Sequence, residues 1–219
     1  MTDFEVPDEF FVVVTTEDPV VSWNMSLGTI SSASVARAAQ APQEYFAQQD
    51  QWFPFLPNPE FRTAVSWQLM RVIANYQVEP KAEHVRSTHY PHLPSRLGCL
   101  FAWGSLDDVR EARRRMGGRF KGPVKRCSLA SEPLRLARCN SAVISFARRA
   151  EERNFLSDMM VTEHVWHTYW SGSGEPLVVE RDHAMDPSGA PDQVRMSDEP
   201  LWEWLIDGSL RIEGDVDAV

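Results

Sequence analysis

Leu201-Trp-Glu-Trp-Leu-Ile206 constrains the fold more than any other stretch of the chain. Successive strand residues point to opposite faces. Alternation puts Leu201, Glu203 and Leu205 on one face and Trp202, Trp204 and Ile206 on the other. Both faces are mostly apolar, so the strand reads as buried on both sides. A bare charge in such a place is costly, and Glu203 must be paired, neutral or turned toward a cleft. One reading is an acid facing a pocket, where it stabilises positive charge or accepts from a sugar hydroxyl. The other is a solvated edge position or an ion pair with an arginine. Spacing does not choose between them.

The 219 residues suffice for one sizeable domain, and 43% hydrophobic with 24% charged content is that of a globular chain. No run approaches the length of a membrane span. The N-terminus is acidic and unlike a signal peptide. Three cysteines with no Cys-x-x-Cys pair argue against a disulfide framework and a cysteine zinc site, and point to a reducing cytoplasm. The net charge of −9 is uneven. Residues 105–153 carry thirteen Lys/Arg against six acids, while residues 171–219 carry twelve acids against three bases. The basic middle either binds an anion or neutralises the acidic ends.

Strand and helix signals alternate along the chain. Glu9 to Thr16 is a β-branched and aromatic strand that stops at Asp18-Pro19. Ser31 to Ser34 caps a short helix, Pro42 either interrupts it or starts a second, and Asn58-Pro59 starts a longer amphipathic one that ends near Gln77. Lys81 to Arg86 reads as a short helical turn, and His89 to Pro94 as extended because of its prolines. Leu97 to Trp103 is a strand. Ser105 caps a helix over 106–116, with acids early and bases late, and Gly117-Gly118 ends it. Strands are expected at 123–129 and 134–139. Helices follow from Asn140 or Ser141 toward Glu152 and from Asp158 to Trp170. Residues 180–198 read as a long polar loop. Asp207-Gly208 then turns the 200–206 strand back on 209–213 as a hairpin. The sum is α+β in a single domain, 1–219. Residues 1–80 form a strand plus helical N-terminal part, 81–213 the core, and 214–219 a frayed tail.

The candidate chemistry lies in four places. Arg86, His89, Ser95 and Arg96 cluster around the proline-stiffened stretch Tyr90 to Ser105, where two guanidiniums and a hydroxyl can hold a phosphate or diphosphate. Against this, either Arg can pair with an acid of the flanking segments. Tyr169 and Trp170 end a helix and offer a platform for a flat ring, or a core anchor. Glu163, His164 and His167 share a helix, and His84, His89 and His92 a loop-like stretch, at no recognised metal spacing. Arg110, Arg113, Arg114, Arg119 and Lys121 invite a nucleic-acid reading, but interleaved acids suit a solvated helix face.

Taken in order, three motifs resemble a group of bacterial and phage proteins related to ADP-ribosyltransferases. The first is Pro94-Ser95-Arg96 leading into Leu-Gly-Cys-Leu-Phe-Ala102. The second is Tyr169-Trp-Ser-Gly172. The third is Glu203-Trp-Leu-Ile-Asp-Gly-Ser-Leu-Arg-Ile212. The resemblance covers roughly residues 83–213. It implies a split, strongly bent β-sheet with intervening helices, and an 81–213 core that grips NAD as substrate. By it Glu203 is the catalytic acid that bonds the ribose hydroxyl. Ser95, Arg96, Arg86 and His89 contact ribose or phosphate, and Tyr169 and Trp170 line the base. The implied reaction passes ADP-ribose to a protein or nucleic-acid acceptor. The alternative is a catalytically inactive nucleotide- or protein-binding module on the same fold. One departure favours the alternative: the first strand lacks the Arg or His that such enzymes use on NAD, and offers only Thr15 and Thr16.

Overall fold

The computed structural model describes residues 4–17, 19–35, 78–152, 159–185 and 191–216. The helices expected between Val35 and Gln77 fall almost wholly outside these residues. Their start is visible: Ser32 Oγ accepts from Val35 N at 3.2 Å.

The strands are β1 (Phe10–Val13), β2 (Thr29–Ser31), β3 (Leu100–Trp103), β4 (Val124–Leu129), β5 (Arg135–Asn140), β6 (Val178–Met185), β7 (Pro191–Arg195), β8 (Trp202–Asp207) and β9 (Ser209–Val216). The helices are α1 (Pro19–Ser26), α2 (Glu79–His89), α3 (Leu106–Met116), α4 (Ala142–Glu152) and α5 (Met159–Trp170), with a 3-10 turn at Gly117–Phe120. The architecture is α+β, as composition and pattern lead one to expect.

Seven strands form one antiparallel sheet in the order β2-β9-β4-β1-β3-β8-β5. The expected hairpin at Asp207-Gly208 does not form. β8 runs into β9 across Gly208, but β8 pairs with β3 and β5, whereas β9 pairs with β4 and β2. A two-residue hairpin needs its arms to pair with each other. Here other strands occupy both edges of each arm, so the chain continues as a bent strand. Stepping from β8 through β3, β1, β4 and β9, then across Gly208, returns to β8. The sheet therefore curls into a ring. Its thinnest seam is β1 against β3, where Phe11 opposite Trp103 is the one registered pair.

Three apolar clusters follow from this curl. Inside the ring, Phe10, Val12, Ala102, Cys127, Trp204 and Ile206 pack together. Outside β1 and β3, Phe11 and Trp103 are covered by Val109 and Ala112 of α3. On the outer face of β5 and β8, Cys139 and Leu205 lie under Val85, Phe146, Trp166 and Tyr169 of α2, α4 and α5. The strand at 202–207 is thus apolar on both faces because it separates two cores.

Local signals explain most boundaries. Ser105 Oγ accepts from Asp108 N at 3.1 Å, Asp107 and Asp108 occupy the first turn of α3, and Arg113 to Arg115 the last. Gly117 ends α3 at φ +58°, a conformation that disfavours any side chain with a Cβ. Several expectations are corrected. The turn at 81–86 is a full helix, α2, which starts two residues earlier because Pro80 suits a first turn. His89 is helical, and residues 95–99 form a turn closed by Gly98 N and Cys99 N on Ser95 O at 3.0 and 2.9 Å. The 97–103 strand accordingly begins at Leu100. The loop expected at 180–198 holds the two strands of a separate hairpin, β6 and β7. Its alternation is masked by many charges. α1 and β2 form where the sequence pattern predicts no element, and β9 extends into the expected tail as far as Val216.

Candidate functional site

α2 presents Glu79, Glu83 and Arg86 at spacings of four and three, hence on one helix face. All three are buried. Arg86 Nε and Nη2 donate to Glu83 Oε1 at 2.9 and 2.8 Å. Its Nη1 donates to Leu93 O at 3.0 Å and Pro91 O at 3.3 Å, which satisfies carbonyls in the proline loop. Ser95 Oγ donates to Glu83 Oε2 at 2.9 Å and accepts from Leu97 N at 3.2 Å. Glu83 thereby joins Arg86 and Ser95 into one unit that fixes the loop leading to β3.

Arg96 centres a second unit. Its Nε and Nη2 fork onto Glu79 at 2.9 and 3.1 Å. Its Nη1 donates to Glu203 Oε1 at 2.5 Å and lies within hydrogen-bond reach of Tyr169 Oη. Tyr169 Oη donates to the same Glu203 oxygen at 2.7 Å. The guanidinium also lies over the Phe101 and Tyr169 rings at 4.8 and 5.2 Å. Glu79, Arg96 and Glu203 are 3%, 8% and 6% exposed, so the network is shut away from water.

Burial works against the charge on Arg96, but the adjacent Glu203 and Glu79 carboxylates outweigh it and hold the group charged, well above its ordinary range. Burial pushes the Tyr169 phenol well above its usual value, and the phenol stays a donor. Two carboxylates against one guanidinium form a compact, hydrogen-bonded cluster of the kind that low dielectric makes costly to break.

The structure brings Arg86, Ser95, Arg96, Tyr169 and Glu203 into neighbouring networks from distant parts of the chain. Trp170 buttresses them: its Nε1 donates to Ala82 O at 2.9 Å, and its ring meets Tyr169 edge-on at 4.8 Å. His89 stands apart. It is exposed and packs on His167 at 4.7 Å, where Tyr90 Oη and His167 Nδ1 are 3.0 Å apart. Sequence reasoning missed Glu79 and Glu83. Their signal was present in the spacing 79, 83, 86 around buried Ala82 and Val85.

The basic face of α3 is internally paired. Arg110 meets Asp107 at 2.6 Å, Arg114 and Arg115 share Glu111 at 2.5 Å, and Arg113 Nη2 donates to Gly122 O at 2.6 Å. Among the described residues no three His, Cys, Asp or Glu side chains gather as a metal site.

A cleft of about 410 Å³ opens elsewhere, on the face of β8 opposite Glu203. Trp202 and Trp204 line it with Arg138 of β5, which pairs directly with Trp204 across the strands. Phe4, Glu5, Pro7, Gly104, Ser105 and Asp108 complete its lining. Arg138 lies over Trp202 at 4.0 Å and Phe4 at 4.9 Å. Compared with known proteins, the sequence matches no family model and no curated relative.

Proposed function

We propose that the chain is a nucleotide-recognition module that does not itself transfer ADP-ribose. The observation that carries this reading is the state of Glu203. A glutamate that stabilises an oxocarbenium-like transition state must face the ribose. Glu203 instead faces Arg96 and Tyr169 inside a cluster that Glu79 completes. The cation this acid would stabilise is already supplied by the protein. β1 adds to the case, because Phe10, Phe11, Val12 and Val13 offer apolar side chains where a contact to the cofactor is implied. The nucleotide part rests on the order of the three motifs.

The rival is an NAD-dependent transferase. The convergence of Arg96, Tyr169 and Glu203 from three distant segments favours it, since those are the residues the resemblance assigns to NAD. Calorimetry with NAD and AMP, followed by a nicotinamide-release assay on the same protein, separates the two. Binding without nicotinamide release is the expected result. Release that disappears in folded Glu203→Gln protein would overturn the module reading.

A further inference from the structure

β5 continues the alternation of the sheet. Ala137 and Cys139 turn to the helices, while Leu136 and Arg138 turn toward the ring side, with Trp204 as Arg138's cross-strand partner. An arginine at such a place ordinarily meets a carboxylate. The Arg138 guanidinium makes no hydrogen bond or ion pair with the described residues. It is held between the Trp202 and Phe4 rings, which fix the plane of its fork and leave its N–H groups without acceptors. Burial lowers its pKa, and the nearby Asp108 charge only partly offsets this.

Trp204 adds a second donor. The residue is 5% exposed, yet its Nε1 donates to no described residue. The N–H keeps some exposure, and the indole edge that carries it lies beside Gly104 at the cleft: a Cβ at Gly104 would stand 2.8 Å from Nε1. The glycine therefore keeps the approach to the indole open. Acceptors line the same cleft. Asp108 is half-buried and bonded through Oδ2 to Ser105 Oγ at 2.7 Å, and Glu5 is exposed at the rim. The cleft thus pairs two sets of donors that lack acceptors with two carboxylates that accept.

We propose that this cleft binds a phosphorylated sugar of nucleotide size. The phosphate sits on the Arg138 fork and the Trp204 indole N–H, and sugar hydroxyls donate to Asp108 and Glu5. A guanidinium of fixed plane suits two phosphate oxygens. The carboxylates disfavour a bare anion and favour one carried on a hydroxyl-bearing body. The volume of about 410 Å³ accommodates a mononucleotide and is small for a dinucleotide. The assignment rests on the nucleotide reading above and gives that reading a location.

The test uses the full chain and four probes: AMP, ribose 5-phosphate, adenosine and inorganic phosphate. Trp202 and Trp204 line the cleft, so tryptophan fluorescence reports occupancy alongside calorimetry. AMP and ribose 5-phosphate are expected to bind, and adenosine and inorganic phosphate to bind at least about tenfold more weakly. Arg138→Met should lower AMP affinity by about tenfold or more, and Gly104→Ala, which crowds the indole, should do the same. Arg149→Met, which removes a partner of Asp198 on the surface, is the control and should change nothing. Circular dichroism checks that each variant is folded. If Arg138→Met does not fold, Arg138→Lys with Gly104→Ala carries the test. AMP binding that is unchanged in these variants overturns the cleft and leaves the nucleotide reading standing. Ribose 5-phosphate binding at Arg138 without AMP binding keeps the cleft and overturns the nucleotide reading. Absence of binding by all four probes at about 10 mM overturns both.

Discussion

Arg96 Nη1 donates to Glu203 Oε1 at 2.5 Å, across more than a hundred residues of chain. The two side chains are 8% exposed each. Glu203 comes from the strand that separates the two cores, Arg96 from the turn before β3, and Glu79 on the far side of the guanidinium from α2. One charge cluster therefore fastens a helix, a turn and the central strand.

Removing one member strands the others. Glu203→Ala is expected to destabilise the fold by about 3–5 kcal/mol, because it leaves Arg96 partly uncompensated in a dry site. Urea unfolding followed by circular dichroism measures this. A double-mutant cycle with Arg96→Met should show strong coupling between the two positions. A loss below about 1 kcal/mol for Glu203→Ala would mean the acid is solvated and free for other work.

Tyr169→Phe deletes one donor to the Glu203 carboxylate and keeps the ring that packs on Trp166 and Trp170. The expected cost is about 1.5–3 kcal/mol, less than that of Glu203→Ala. Equal losses in the two variants would place the phenol rather than the ion pair at the centre of the network.

Alkali should weaken the protein. Burial pushes up the thiols of Cys99, Cys127 and Cys139, that of Cys127 to about 12, and raises the Tyr169 phenol. A raised pKa means the folded state keeps its proton while the unfolded state releases one. Stability is therefore intact below the unfolded thiol value near 9 and declines above it, by up to about 1.4 kcal/mol per pH unit for each group that titrates only when unfolded. Denaturation midpoints at pH 7, 9 and 10 should fall in that order. Cys127→Ala should flatten the slope between the last two.

Gly122 and Gly117 should respond differently to alanine. A Cβ on Gly122 would stand 1.8 Å from Val14 O, next to the Val14 N to Pro123 O bond of 3.0 Å that extends the pairing of β1 with β4. Gly122→Ala is expected to cost about 3 kcal/mol or more, since backbone must move. Gly117 has open space, so Gly117→Ala carries only the strain of φ +58°, about 1 kcal/mol. Thermal melts of the two variants check the ranking.

Local rules made much of this chain legible. Ser105, the acids of the first turn and Gly117 marked both ends of α3, and alternation assigned the faces of β8 correctly. The same rules failed at Gly208. Asp-Gly between two apolar runs is a hairpin signal, but hairpin formation depends on whether the two arms are free to pair. Their edges are taken by β3, β5, β4 and β2, which no local pattern discloses. The β6–β7 hairpin was missed because charged residues hide its period.

The sequence by itself determined the α+β class, the caps, the two apolar faces around Glu203 and the need of that acid for a partner. Only the tertiary structure decided which partner. Arg96, Glu79 and Tyr169 meet Glu203 because the sheet curls and α2 and α5 lie on its outer face. That depends on contacts between residues far apart in the chain, whose closure no short-range spacing encodes. The same curl put Arg138 beside Trp204, with no carboxylate bonded to its guanidinium. In sequence Arg138 was one base among thirteen in its region. In the fold it lies over two rings, with the Asp108 charge near but not paired to it.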